Sequence, residues 1–372
     1  MARPVLILLL AALAACTPRG DIRVAPEAAG IGTIRQVFVG TTRADDLETG
    51  DFTGERAERM AFARYDVSVP PDREPGEIRF TRKTATPDPR REFVTVAADR
   101  HETGAQFRAN LARALAAKPR GGREAVIFVH GFNNTFGEGV YRIAQLAHDL
   151  QLPGVAVHYS WPSAAQPLGY VYDRDSALFA RDGLEQLITE VTAAGAERVL
   201  LVAHSMGSAL TMETLRTMAL RGNRGALSRL GGVILMSPDI DVDVFRAQAR
   251  AVGKLPQPFL IFGSQRDRVL NLSARLTGQS ERLGNIKDLT RLADLELTYL
   301  DTGAFAEGAG HFTVATSPLL IQLLARIDSL NTALTAERAG RTGLLPGVVL
   351  SVRNVTGIIL SPVSGIATEL EN

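Results

Sequence analysis

Residues 200–207, Leu200-Leu201-Val202-Ala203-His204-Ser205-Met206-Gly207, decide how this chain is read. Four apolar residues without polar alternation describe a strand covered on both faces. The residues around Ser205 are small, and positions 208–220 then carry a helical pattern. A strand that passes straight into a helix must turn so sharply that bulky side chains would collide, and a serine at the apex is held clear of both elements. The usual spacing is Gly-x-Ser-x-Gly; here Ala203 stands at the first glycine position, with a methyl group as the smallest available substitute. The competing reading is a serine that caps the helix by accepting a free backbone N–H.

Outward from that segment, similar apolar runs occur at 125–129, 155–159, 233–236, 259–262 and 295–300. Between them Val140, Ile143, Ala147 and Leu150 keep helical spacing, as do Leu184, Leu187, Ile188 and Val191, and later Leu320, Leu323, Leu324 and Ile327. Strands apolar on both faces alternating with amphipathic helices predict an α/β fold, an open and mostly parallel sheet with helices on both sides. Before residue 105 the pattern differs. Val37-Phe38-Val39, Tyr65-Asp66-Val67-Ser68-Val69, Ile78-Arg79-Phe80 and Phe93-Val94-Thr95-Val96 are short and broken up by prolines at 70, 71, 75, 87 and 89. These predict antiparallel strands at a sheet edge.

Parallel sheets hold their ligands beyond the carboxyl ends of the strands, so the residues just after each apolar run are the ones to inspect. Val129-His130-Gly131-Phe132 ends one strand. With Ser205 as a nucleophile, the N–H groups of Phe132 and Met206 are the expected oxyanion donors, each worth about 3 kcal/mol in barrier lowering. Gly131 permits the close approach, and His130 is expected to brace the loop. Asp267 follows the 259–262 strand and is the expected acid; Asp239 and Asp241, after the 233–236 strand, are its competitors. His311 lies in Gly308-Ala309-Gly310-His311-Phe312, after the last strand and before the final helix. Of the other histidines, His101 precedes the core, His148 and His158 lie before Ser205, and His204 is expected to point away from its neighbour. That leaves His311 as the general base.

The segments His130-Gly131-Phe132-Asn133, Tyr159-Ser160-Trp161-Pro162-Ser163, Ala203-His204-Ser205-Met206-Gly207 and Pro238-Asp239-Ile240-Asp241, with Asp267 and His311, resemble the α/β-hydrolase superfamily. The order Ser205, Asp267, His311 agrees with it. The narrower resemblance is to a bacterial branch of esterase/lipase-like proteins, and it spans about residues 34–329. It implies the α/β-hydrolase fold and hydrolysis of an ester-like bond in a small-molecule or lipid substrate. It does not imply a particular substrate. A non-catalytic binding module on the same fold, an acyltransferase and a thioesterase remain as alternatives. Trp161 either lines the substrate pocket or packs at a strand end. Residues 271–293 form a polar insertion that either caps the site or does not.

The chain has 372 residues, 45% hydrophobic, with 41 basic and 40 acidic side chains. So even a balance gives no general attraction to polyanions, and a nucleic-acid partner is not expected. Neither a phosphate-binding glycine loop nor a His-Glu-x-x-His or paired-cysteine motif is present, and covalent serine chemistry needs no cofactor. The single cysteine, Cys16, ends Leu13-Ala14-Ala15-Cys16, after Arg3 and an unbroken apolar run over residues 5–15. That run is too short to span a membrane as a helix. The pattern resembles a bacterial lipobox, which implies removal of residues 1–15 and a lipid-anchored Cys16. Thr17 at the next position points to the outer membrane where a cell has two. An ordinary secretory signal with an incidental cysteine is the alternative. The expected organisation is a signal over 1–15, a tether over 16–30, the α/β domain over 31–335 and an apolar, Gly/Pro-broken tail over 336–372.

Overall fold

The computed structural model describes residues 19–152, 154–279, 281–303, 311, 313–318, 348–354 and 357–362. Cys16, the 308–310 glycine loop and the helical spacing from Leu320 to Ile327 lie outside the described residues. The strands are β1 (Thr33–Asp45), β2 (Phe52–Val69), β3 (Val94–His101), β4 (Glu124–Val129), β5 (Val155–Ser160), β6 (Arg198–His204), β7 (Leu230–Met236), β8 (Phe259–Gly263), β9 (Thr298–Asp301), β10 (Val348–Asn354) and β11 (Gly357–Pro362). The main helices are α1 (Gly104–Ala116), α2 (Phe136–Asp149), α3 (Tyr170–Phe179), α4 (Arg181–Ala193), α5 (Met206–Leu220), α6 (Val242–Val252) and α7 (Arg268–Leu276).

Among the described residues these strands form one sheet in the order β11-β10-β9-β8-β7-β6-β4-β5-β1-β2-β3. From β1 to β10 across the centre, neighbouring strands run parallel. Antiparallel pairs occur at both margins, β1 with β2, β2 with β3, and β10 with β11. Successive residues of a strand face opposite ways, so each central strand feeds two cores. Ile127 and Val129 of β4 join Leu201 of β6, Leu111 of α1, Leu184 of α4 and Leu215 of α5 on one face. Val126 and Phe128 join Val140 and Ile143 of α2 on the other.

Three sequence expectations are refined here. The N-terminal strands form an antiparallel margin as expected, but Val37-Phe38-Val39 lies at its inner side: β1 pairs antiparallel with β2 and also parallel with β5, which joins that margin to the parallel centre. Ile78-Arg79-Phe80 forms no strand; Ile78 and Phe80 pack against the second core from a loop. The last apolar run enters the sheet only at Thr298, and Leu295 and Leu297 are buried from the preceding turn.

Residues 19–30, expected as part of a tether, lie on the domain. The Arg19 guanidinium donates to Asn133 Oδ1 at 3.2 Å, to Asn133 O at 2.9 Å and to Glu138 at 2.9 Å. Thr135 Oγ donates to Gly20 O at 2.6 Å, and Ala25 and Ala28 are buried. Small side chains and specific polar pairs hold this stretch, a signal that hydrophobic periodicity does not register. Two stretches of the tail, β10 and β11, extend the sheet beyond β9.

Candidate active site

Ser205 occupies the turn between β6 and α5 with φ 51° and ψ −120°, a backbone conformation that a residue with a Cβ rarely adopts. Neighbouring chain holds it there: Ser205 N donates to Met236 O at 2.9 Å, and Ser205 O accepts from Asp239 N at 3.2 Å. Its side chain makes no capping bond to α5, which removes the helix-cap reading. A Cβ on Gly207 would lie 2.2 Å from His130 O, and one on Gly131 would lie 2.7 Å from the His204 ring. Glycine at both positions therefore lets the ends of β4 and β6 close together. Met206 N–H and Phe132 N–H sit on those two strand ends, and among the described residues neither donates to a protein acceptor.

His311 Nε2 lies 2.9 Å from Ser205 Oγ, and His311 Nδ1 lies 2.8 Å from Asp267 Oδ2. An ionised carboxylate only accepts, so Nδ1 carries the proton and Nε2 is left to accept from the serine hydroxyl. Asp267 is fully buried at the start of α7, where its Oδ1 accepts from Val269 N and Leu270 N, both at 3.0 Å. One carboxylate oxygen is thus fixed by a helix N-terminus and the other faces the imidazole. The competing acids are engaged elsewhere. Asp239 pairs with Arg282 at 2.6 Å and accepts from Ser273 and Tyr170, while Asp241 caps α6 through Val244 N and accepts from Gln279.

His204 does not point clear of the site as expected. Its ring stands 4.9 Å from that of His311, and its Nε2 is 3.4 Å from His311 O. Burial pushes its pKa well below the ordinary histidine value, so it is neutral. His130 braces its loop: Nδ1 is 2.8 Å from Gly131 O, and the ring stacks on Trp161 at 4.8 Å. Trp161 is buried and donates Nε1–H to His130 O at 2.7 Å, so it packs at the strand end and does not line a pocket.

Sequence reading missed the residues behind the 131–134 loop. Arg43, buried at the end of β1, donates to Asn134 O, Ser163 O, Thr53 O and the Ser160 hydroxyl, all between 2.9 and 3.0 Å. Burial lowers its pKa to about 10, which still leaves it charged near neutral pH. Asp173 of α3 accepts from Asn133 N at 3.1 Å, Ala164 N at 2.7 Å and Ser163 Oγ at 2.6 Å. The available signal was an arginine four residues after the apolar Val37–Val39 run, beyond Gly40-Thr41-Thr42; assigning that strand to an edge hid it. Beside Met206 a cleft of about 300 Å³ is bounded by Tyr170, Leu178, Leu210 and Ile240, with Glu213, Asp241 and Gln279 on its polar side.

A protein-family profile described as alpha/beta hydrolase of unknown function (DUF900) matches residues 103–325, more than half of the chain. Among solved structures, an α/β-hydrolase enzyme from the metagenome of Lake Arreo, Spain, aligns at 12% identity with a TM-score of 0.38, covering 90% of this chain and 97% of its own. An esterase of Pyrobaculum calidifontis aligns at 12% identity and a TM-score of 0.37, covering 82% and 88%. Esterase B of Lactobacillus rhamnosis aligns at 17% and 0.33, covering 58% and 80%. No curated protein matches the chain.

Proposed function

The chain belongs to the α/β-hydrolase family described as DUF900, and we propose that within it this protein is a serine hydrolase of carboxylic esters held on a bacterial envelope membrane through Cys16. The observation that carries the catalytic reading is the unbroken chain from Ser205 Oγ through both nitrogens of His311 to the buried Asp267 carboxylate. In this reading Ser205 Oγ attacks the ester carbonyl and its proton passes to His311 Nε2. The carbonyl oxygen becomes an oxyanion that accepts from Phe132 N–H and Met206 N–H, at the positive end of the α5 dipole. Asp267 keeps Nδ1 protonated and stabilises the imidazolium. His311 then returns the proton to the departing alcohol, and a water activated by the same nitrogen releases the acid and restores Ser205.

Labelling by a fluorophosphonate probe tests this directly. Wild type is expected to label and Ser205→Ala is not; folded wild type that fails to label overturns the reading. A p-nitrophenyl ester series of increasing chain length then ranks the acyl group. Incorporation of labelled palmitate into wild type but not Cys16→Ser tests the anchor separately.

A further inference from the structure

The carboxyl edge of the sheet, where Ser205 lies, also carries apolar side chains turned to solvent. Leu168, in the loop before α3, is 98% exposed, and Val171 in the first turn of α3 is 73% exposed. Leu178 is also exposed on the same helix, and Leu47, at the tip of the β1–β2 hairpin, is 95% exposed. Single exposed leucines are ordinary. Here they share one edge, and the hairpin and helix are joined: Tyr172 O–H donates to Gly54 O at 3.1 Å, and Arg56 donates to Ser176 Oγ at 2.9 Å. Helix α3 also touches the site, since Tyr170 meets Phe132 edge-on at 5.5 Å and Asp173 holds Asn133 N.

An independent observation says what covers this edge. The described chain starts at Arg19, whose guanidinium is bonded to Asn133, in the loop that carries Phe132. Cys16 lies three residues earlier, so at most about 11 Å of extended chain separates the lipid attachment point from Arg19, whose side chain reaches the rest of the way to that loop. Acyl chains at Cys16 would enter a bilayer beside the site.

We infer that the α3 edge rests on the lipid bilayer and that the substrate is an amphiphilic ester drawn from that bilayer. This rests on the Ser205 and Cys16 readings above. A few apolar side chains bind membranes weakly alone, but the anchor makes the contact intramolecular and raises its effective concentration. With 41 basic and 40 acidic residues the chain has no overall charge excess to draw it to a lipid surface, and the contact is carried by apolar side chains, so it is expected to persist when salt is added.

The test uses the full lipidated chain in vesicles of phosphatidylethanolamine and phosphatidylglycerol. Cys16 is the chain's only cysteine and in this reading its thiol carries the diacylglyceryl group, so Leu168→Cys takes one environment-sensitive fluorophore. Leu220→Cys is the control, because Leu220 is 63% exposed at the far end of α5, at the sheet's opposite edge. The expected result is a blue shift and quenching by lipid-borne spin labels at 168 but not at 220, unchanged by salt. Equal behaviour at both positions overturns the surface. A blue shift at 168 without vesicles overturns it too, in favour of a second copy of the chain.

The double variant Leu168→Glu/Val171→Glu should turn over a soluble short-chain ester within about twofold of wild type and lose about tenfold or more on an ester embedded in vesicles. Equal loss on both substrates overturns the inference. A wild type inactive on the soluble ester overturns the Ser205 reading instead, an outcome the fluorophore measurement does not share.

Discussion

At Ser205 the backbone is strained because a side chain is needed where the turn favours glycine. Strain of this kind costs about 1–3 kcal/mol and is offset by the bonds from Met236 and Asp239. Ser205→Gly is therefore expected to raise stability by about 1 kcal/mol in denaturant titration, after the loss from a freer unfolded chain, while abolishing fluorophosphonate labelling. The three carboxylates separate in the same way. Asp267→Asn should lower kcat by about 10⁴-fold, since an amide no longer enforces the tautomer. Asp239→Asn should instead destabilise by about 3 kcal/mol, because it weakens the cover of buried Arg282, and leave kcat of the folded protein near wild type. Asp241→Asn should spare kcat as well. Ser205 was legible because its neighbours in sequence make the turn. Arg43 was not, since its acceptors Asn134, Ser160 and Ser163 lie far along the chain and only Thr53, across the β1–β2 hairpin, is near in sequence.

At the scale of elements, what counts is how closely β4 and α5 meet. Gly207→Ala would press a methyl group against the carbonyls of His130, just past β4, at 2.2 Å and of Val129, the last residue of β4, at 2.7 Å, and neither is the end of a flexible side chain. The expected cost is about 1–3 kcal/mol in stability, together with a fall in kcat as Met206 N–H moves away from Phe132 N–H. Arg43→Met tests the loop from behind: three carbonyls lose a charged donor, and kcat should fall at least about tenfold with a smaller change in KM, measured on a soluble ester. The apolar runs identified β4 to β8 because a buried strand has a local composition. They did not place β1 at the inner side of its margin or residues 78–80 in a loop, because pairing partners, not composition, decide whether such a run becomes an inner strand or a packed loop.

Across the whole molecule, buried histidines make stability depend on pH, His130, His158 and His204 most strongly. Burial pushes His158 down to about 3, and His130 and His204 well below the ordinary value. Below about pH 6.5 the unfolded chain protonates all three and the folded chain does not, so stability falls as pH falls through that window toward 3. Asp51 opposes this: burial pushes it up to about 7, so the folded chain holds a proton between about pH 7 and 4 that the unfolded chain has lost. The lowered histidines outnumber Asp51, so stability is expected to fall from pH 7 to pH 5, to be read from denaturant midpoints at the two pH values. A midpoint that rises on acidification would count against the neutral histidines.

The sequence by itself determined the α/β class, the strand-turn-helix around Ser205 and the chain order of Ser205, Asp267 and His311, because each is a property of neighbouring residues or of their sequence. Tertiary structure alone decided the strand order, the inner position of β1, and the roles of Arg43 and Asp173 behind the 131–134 loop. It also decided that Asp267, and not Asp239 or Asp241, faces His311. These depend on which segments meet across the sheet, where hydrogen bonds and charge act through space over separations that no local pattern encodes.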